Sequence, residues 1–258
     1  MALIRIDHVP ETVKVNITLN LIVPEPGAVK GVPVRERKTL YLLHGLGDDA
    51  SAWQRFTSIE TVVSAYGLVV VMPTVGRSFY VDQPNGQAYY TYLVDELPRY
   101  LADVFGLMPG RDDTLIAGLS MGGYGALKAA MLHPELYRAA GLISGVLSFD
   151  ILEQIPQGSL RAEMAWCFGD LDRVKGGEHD PAVWLRRASR NPAALPRLYV
   201  TCGRQDELLK MNRAFADECR SLGIYVEYQE EDGKHDWFFA DSALRRFLTT
   251  VLGPLPSE

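Results

Sequence analysis

The segment Gly118-Leu119-Ser120-Met121-Gly122 fits the pattern G-x-S-x-G. Thr114–Gly118 before it reads as a buried strand, and Gly122–Leu132 after it reads as a helix that ends ahead of Pro134. A serine on such a strand-to-helix turn projects its hydroxyl from a tight corner. The flanking glycines permit strained backbone and close packing. The amides that open the helix point at the place where negative charge develops when a hydroxyl attacks a carbonyl. The pentapeptide alone is moderately specific, because a glycine-rich turn with a structural serine has the same spelling.

A serine hydroxyl becomes a good nucleophile only when a base removes its proton. The chain holds five histidines: His8, His44, His133, His179 and His235. On a turn of this kind the partners follow in the chain order serine, acid, histidine, which removes His8 and His44 as the base. His133 ends the helix that starts beside Ser120, roughly 18 Å away at 1.5 Å per residue. His179 has no strand before it. His235 follows the strand-like Ile224–Tyr228 and precedes a helix-like stretch, Asp236–Val251, so it falls at the sheet end where Ser120 lies.

The acid must orient the imidazole and stabilise its cation. Asp206 follows the strand-like Leu198–Cys202 and stands just before the helix-like Glu207–Leu222. An aspartate there is also an ordinary helix cap, and one side chain is not expected to fill both roles fully. Glu207 is the nearby substitute. Asp170, Asp172 and Asp180 are weaker candidates because no clear strand precedes them. His44-Gly45-Leu46-Gly47 follows the apolar run Leu40–Leu43, where a loop can present a backbone N–H to an oxyanion. Leu46 is the expected first donor, with Gly45 in reserve, and Met121 the second. His44 is expected to shape the turn. These residues together would transfer an acyl group with no metal and no cofactor.

Val13–Val23 alternates apolar and polar residues as a half-buried strand does. Pro24, Pro26, Gly27 and Gly31 then mark a turn. Ile59–Tyr66 reads as a helix and Leu68–Met72 as a buried strand. Residues 74–87 read as a loop. Ala88–Val104 is helix-like but contains Pro98, which should kink or divide it. Ala139–Ser144 is a further strand. Alternating strands and helices predict an α/β fold with a mostly parallel central sheet and helices on both faces. No repeat or linker divides residues 1–258, so one domain is expected. Residues 150–195 are rich in glycine and proline and read as an irregular insertion covering the site, with a helix at Pro181–Ala188.

The chain has 26 basic and 32 acidic residues, a formal charge of −6, which leaves no basic footprint for nucleic acid. Cys167, Cys202 and Cys219 form no CxxC pair, and three free thiols suit a reducing compartment. Arg5, Asp7 and His8 interrupt the N-terminal apolar residues, so no secretory signal is expected, and no run is long enough to span a membrane. A cytoplasmic enzyme acting on a small-molecule ester is the expectation.

YLLHGLGDDASAW, VVVMP, GLSMGGYGALKAA, SGVLS, TCGRQDELL and GKHDWFF, spread over residues 40–250, together resemble the esterase D-like family, and within it the bacterial tributyrin-type acetyl esterases. The resemblance implies the α/β-hydrolase fold, Ser120, Asp206 and His235 as a triad, and a canopy of loops over them. By similarity it places Trp53, Tyr80 and Trp237 near the substrate pocket. It implies a carboxylesterase for short acyl groups. The family also holds feruloyl esterases, S-formylglutathione hydrolases and mycolyltransferases, so those activities, and a non-catalytic binding protein on the same fold, are the alternatives. The formylglutathione group usually carries a Cys or Thr context in the oxyanion loop that HGLGDD lacks. Family members often form homo-oligomers, but no feature of this sequence marks an interface.

Overall fold

Successive residues of a strand point to opposite faces of a sheet, and here both faces are apolar. In Val69–Pro73, Val69 and Val71 enter one buried cluster while Val70 and Met72 enter the other. Continuous apolar runs of this kind belong to parallel strands covered by helices on both sides. The computed structural model describes residues 1–29, 32–153 and 155–254.

Its sheet has eight strands: β1 Ala2–His8, β2 Ile17–Val23, β3 Thr39–Leu43, β4 Val69–Pro73, β5 Thr114–Leu119, β6 Ala139–Ile143, β7 Arg197–Gly203 and β8 Val226–Glu231. They lie in the order β1-β2-β4-β3-β5-β6-β7-β8. β1 and β2 pair antiparallel, β2 pairs antiparallel with β4, and every pair from β4 to β8 is parallel. The helices are α1 Ala52–Phe56, α2 Ile59–Tyr66, α3 Tyr89–Thr91, α4 Leu97–Phe105, α5 Met121–Leu132, α6 Ser159–Phe168, α7 Pro181–Ala188, α8 Leu209–Ser221 and α9 Trp237–Leu252. Val62 and Val63 of α2 and Phe247 and Leu248 of α9 bury against one face of the sheet. Leu101 of α4, Leu127 of α5, Leu185 of α7 and Phe215 of α8 bury against the other. Full burial of such a side chain is worth about 1.5–3 kcal/mol. Eight strands, mostly parallel, with helices on both faces make an α/β-hydrolase fold, as the sequence predicts.

Several boundaries differ from the sequence reading. β1 is not legible as a strand because it is an edge strand whose residues are mostly half-buried or exposed. Residues 13–16 do not continue β2; Lys14 stands at φ +59° and turns the chain. After β2, Pro26–Val29 forms a single 3-10 turn, and Gly31 lies outside the described residues. The stretch around Pro98 is divided as expected: α3 passes into a π-helical stretch, Tyr92–Glu96, and α4 starts one residue before the proline. The Leu97 N–H closes the π-turn on Tyr92 O just before the proline, whose nitrogen has no hydrogen to donate.

The largest correction falls on residues 150–195. Pro181–Ala188 is helical as expected, but Ser159–Phe168 is also a helix, not irregular chain. Gly158 and Gly169, which suggest a loop, stand at φ +154° and +77° and bound the helix instead of interrupting it. Among the described residues no helix is long and apolar enough to cross a membrane.

Candidate active site

Ser120 sits between β5 and α5 at φ +58° and ψ −114°, a region that strongly disfavours a residue with a side chain. Two close approaches force the corner. A Cβ on Gly118 would fall 2.3 Å from the carbonyl oxygen of Gly122, and a Cβ on Gly122 would fall 2.4 Å from that of Leu43. The bend is held by the Ser120 N–H, which donates to Ile143 O at 2.9 Å, and by the Tyr124 N–H, which donates to Ser120 O at 3.2 Å. The serine is half-buried.

His235 lies in the loop between β8 and α9. Its Nδ1 is 2.9 Å from Oδ2 of Asp206. Asp206 follows β7, and its other oxygen, Oδ1, accepts the Leu208 N–H at 2.8 Å. One carboxylate oxygen thus holds the turn ahead of α8, whose own N-cap is Leu208, and the other meets the imidazole. Burial by itself would raise the Asp206 carboxyl, but hydrogen bonds from His235 and the Leu208 N–H help to outweigh it and hold the group below its ordinary range. The hydrogen bond to Asp206 in turn raises His235 above the usual imidazole value, against the effect of burial.

The other candidates are placed elsewhere. Asp180 caps α7 through the Ala182 N–H, and Asp170 accepts the Asp172 N–H. His8 contacts Tyr92, His133 contacts Glu135, and the His179 ring lies against Phe168. Glu207 reaches the cavity rim beside His235, but Asp206 is the residue bonded to the ring.

Ser120 and His235 open onto one cavity of about 150 Å3. Leu46 and Met121, the expected oxyanion donors, line it too. Apart from Glu207, its remaining lining is apolar: Phe79 from the loop after β4, Val146, Phe149, Ile151, Leu152 and Ile155 from the chain after β6, Leu160 and Met164 from α6, and Leu208 ahead of α8. Residues 150–195 supply Ile151, Leu152, Ile155, Leu160 and Met164 to this lining. Sequence reading missed these residues. The spacing Leu160, Met164, Phe168 has the helical period that carried the signal.

Trp53, Tyr80 and Trp237 are not in that wall. Trp53 is buried, donates from Nε1 to Leu43 O at 2.9 Å and meets Trp237 edge to face. Tyr80 is buried and donates its hydroxyl to His44 O at 3.0 Å. Trp237 stacks on Phe56. Trp53 and Tyr80 brace the chain around the His44–Gly47 loop from behind. His44 is fully buried and neutral: Nδ1–H donates to Gly45 O at 2.8 Å, and Nε2 accepts the Val75 N–H at 3.1 Å. It shapes the turn, as expected.

A strained serine, an imidazole backed by a buried carboxylate, and backbone N–H groups around one apolar cavity can form and hydrolyse an acyl-enzyme. Comparison with known proteins agrees. The family model described as "Putative esterase" matches residues 11–244. An acetyl esterase of Caldicellulosiruptor saccharolyticus is 30% identical over 249 residues, covering 93% of this chain and 94% of the relative. A solved structure of the Staphylococcus aureus fluorophosphonate-binding serine hydrolase F, with substrate bound, superposes with a TM-score of 0.89 at 32% identity, covering 98% of this chain and 99% of that one. The S-formylglutathione hydrolase of Staphylococcus aureus superposes with a TM-score of 0.87 at 33% identity, covering 97% and 98%.

Proposed function

The chain belongs to this esterase family, and we propose that it is a serine carboxylesterase that cleaves short-chain acyl esters through an acyl-enzyme on Ser120. The observation that carries the reading is the shared cavity. Ser120 and His235 open onto it together, and His235 is held from behind by the buried Asp206.

In this reading His235 Nε2 takes the proton of Ser120 as its oxygen attacks the ester carbonyl. The N–H groups of Leu46 and Met121 stabilise the oxyanion, and His235 returns the proton to the departing alcohol. Water then attacks the acyl-enzyme with His235 again as base, releasing the acid and restoring Ser120. Asp206 fixes the ring so that Nε2 faces the serine and stabilises the imidazolium while it exists. The acyl group occupies the apolar cavity. Drug-sized ligands need pockets of roughly 300–1,000 Å3, so about 150 Å3 under the insertion favours a short chain. Three buried free thiols suit a reducing interior, and we place the enzyme in the cytoplasm.

The likeness to a S-formylglutathione hydrolase supports a second reading, a thioesterase with the same acyl-enzyme chemistry. The test is a panel of p-nitrophenyl acetate, butyrate, hexanoate and octanoate, with a feruloyl ester and S-formylglutathione beside it. Acetate and butyrate are expected to lead. Preference for S-formylglutathione, or for transfer to an added alcohol over water, would move the assignment within the family. Ser120→Ala is expected to fold, to lose turnover and to escape labelling by a fluorophosphonate; near-normal turnover would sink the mechanism.

A further inference from the structure

Asn212 lies on α8 and is wholly buried, while the other buried residues of that helix, Phe215, Ala216 and Cys219, are apolar. Asparagine is a poor helix former, and an amide taken out of water costs stability unless its hydrogen bonds are made. Nδ2 makes two, to Gly145 O at 2.9 Å and to Leu208 O at 3.0 Å. Both acceptors are carbonyl oxygens, so the NH2 end of an amide can serve them and a carboxylate cannot.

Each acceptor belongs to a different half of the site. Gly145 comes shortly after β6 and packs on the first turn of α5: a Cβ on Gly123 would fall 2.7 Å from its Cα. The next residue, Val146, donates its N–H to Ser120 O at 3.3 Å. Leu208 stands ahead of α8, and its N–H donates to Asp206 Oδ1 at 2.8 Å, while Asp206 Oδ2 meets His235. The register of β6 and β7 ends at Ile143 and Thr201, with one further bond from the Ser144 N–H to Thr201 O at 2.8 Å. Past that point the amide of Asn212 ties the chain beside Ser120 to the turn that carries Asp206. Met211 adds a weaker tie, its Sδ accepting the Leu147 N–H at 3.1 Å.

We propose that Asn212 is a positioning residue for the esterase reaction, its buried amide fixing the distance between the Ser120 corner and the turn that carries Asp206. The proposal rests on reading Asp206 and His235 as the acid and base of Ser120. Asn212 forms no part of the cavity wall, so its loss acts on kcat and leaves KM within about twofold.

The test is the pH dependence of p-nitrophenyl acetate hydrolysis by Asn212→Leu, close in volume to the native residue, with folding and melting temperature followed by circular dichroism. Asn212→Ala removes the amide without adding bulk and is read in the same way should the leucine variant fail to fold. A fall in kcat of about ten-fold to 10²-fold is expected, between the scale of one lost hydrogen bond and that of a 1 Å misplacement. His235 is raised chiefly by its bond to Asp206, with Glu207 and Asp236 acting in the same direction and present in every variant. A turn no longer fixed weakens that bond, so the acid limb of the profile moves to lower pH. Phe215→Leu, three residues along the same helix, is the control for packing alone: it is expected to lower the melting temperature and leave kcat and the limb unmoved. An Asn212→Leu enzyme with wild-type kcat and an unmoved limb would overturn the proposal. So would an equal loss in Phe215→Leu, which would trace the effect to a loosened helix. Either result leaves the Ser120 mechanism standing, and Ser120→Ala assayed in parallel tests that mechanism on its own.

Discussion

Nδ1 of His235 lies 2.9 Å from Oδ2 of Asp206, and the two side chains differ sharply in solvent contact: the carboxylate is wholly buried while the imidazole is 30% exposed. The burial keeps the charge of Asp206 directed at the ring. The partly exposed imidazole lines the cavity that Ser120 also lines.

Asp206→Asn therefore removes the charge and permits the wrong ring tautomer. The same change in a serine protease costs about 10⁴-fold in kcat, and a loss of about 10³–10⁴-fold is expected here. The pH profile gives a second reading. His235 must be neutral to act as base, and its pKa is raised chiefly by the hydrogen bond to Asp206. Activity of the native enzyme thus falls on acidification starting above the ordinary histidine value of about 6.5. Without the carboxylate, the limb of the residual activity moves to lower pH. A limb that stays in place in Asp206→Asn would contradict the pairing.

His44 makes a different pH prediction, about stability. Burial depresses its pKa to about 4, partly opposed by the hydrogen bond to Gly45 O. The folded value lies below the unfolded one, so between pH 6.5 and 4 the unfolded chain binds a proton that the folded chain refuses. The contribution is complete above pH 6.5 and is lost as pH falls through the folded value, in total about 3 kcal/mol. Urea unfolding from pH 7 to 4.5 is expected to show this decline. Imidazole NMR isolates the group: the His44 signals should stay in the neutral Nδ1–H form throughout, and titration near pH 6.5 would refute the assignment.

Much of this site is legible in sequence because its chemistry is local. The turn at Ser120 needs glycines beside it, and the acid and base each stand at the end of a strand, where composition changes abruptly from apolar to polar. Leu40–Leu43, Leu68–Met72 and Thr114–Gly118 are buried on both faces, so their apolar runs reveal them. The cavity wall is less legible. Phe149, Leu152 and Met164 are brought to Ser120 by tertiary packing, and their segment carries glycines at helix ends that resemble loop punctuation. The family resemblance puts Tyr80 near the pocket, yet a Cβ on Gly125 would meet its ring at 2.5 Å. The absent side chain at Gly125 admits the ring beneath the His44–Gly47 loop instead, where its hydroxyl meets His44 O.

Met164 offers a test of the acyl cavity itself. It projects from α6, is 2% exposed, and lines the cavity while also packing in the core cluster that holds Phe149 and Phe168. Met164→Ala should act in two ways that separate cleanly. It removes buried apolar volume, which costs about 2–5 kcal/mol of stability and lowers the melting temperature. It also lengthens the space in front of Ser120. One methylene in an apolar pocket changes kcat/KM by roughly 10–200-fold, so the ratio of hexanoate to acetate turnover should rise by at least about ten-fold. Leu160 is the comparison, since it sits on the same helix and lines the same cavity but is 39% exposed. Leu160→Ala should shift the ratio much less and leave stability nearly unchanged, because water already reaches its side chain. If both variants lost activity on every ester equally, α6 would act only as a cover, and the limit on chain length would have to lie in other lining residues such as Phe79 or Phe149.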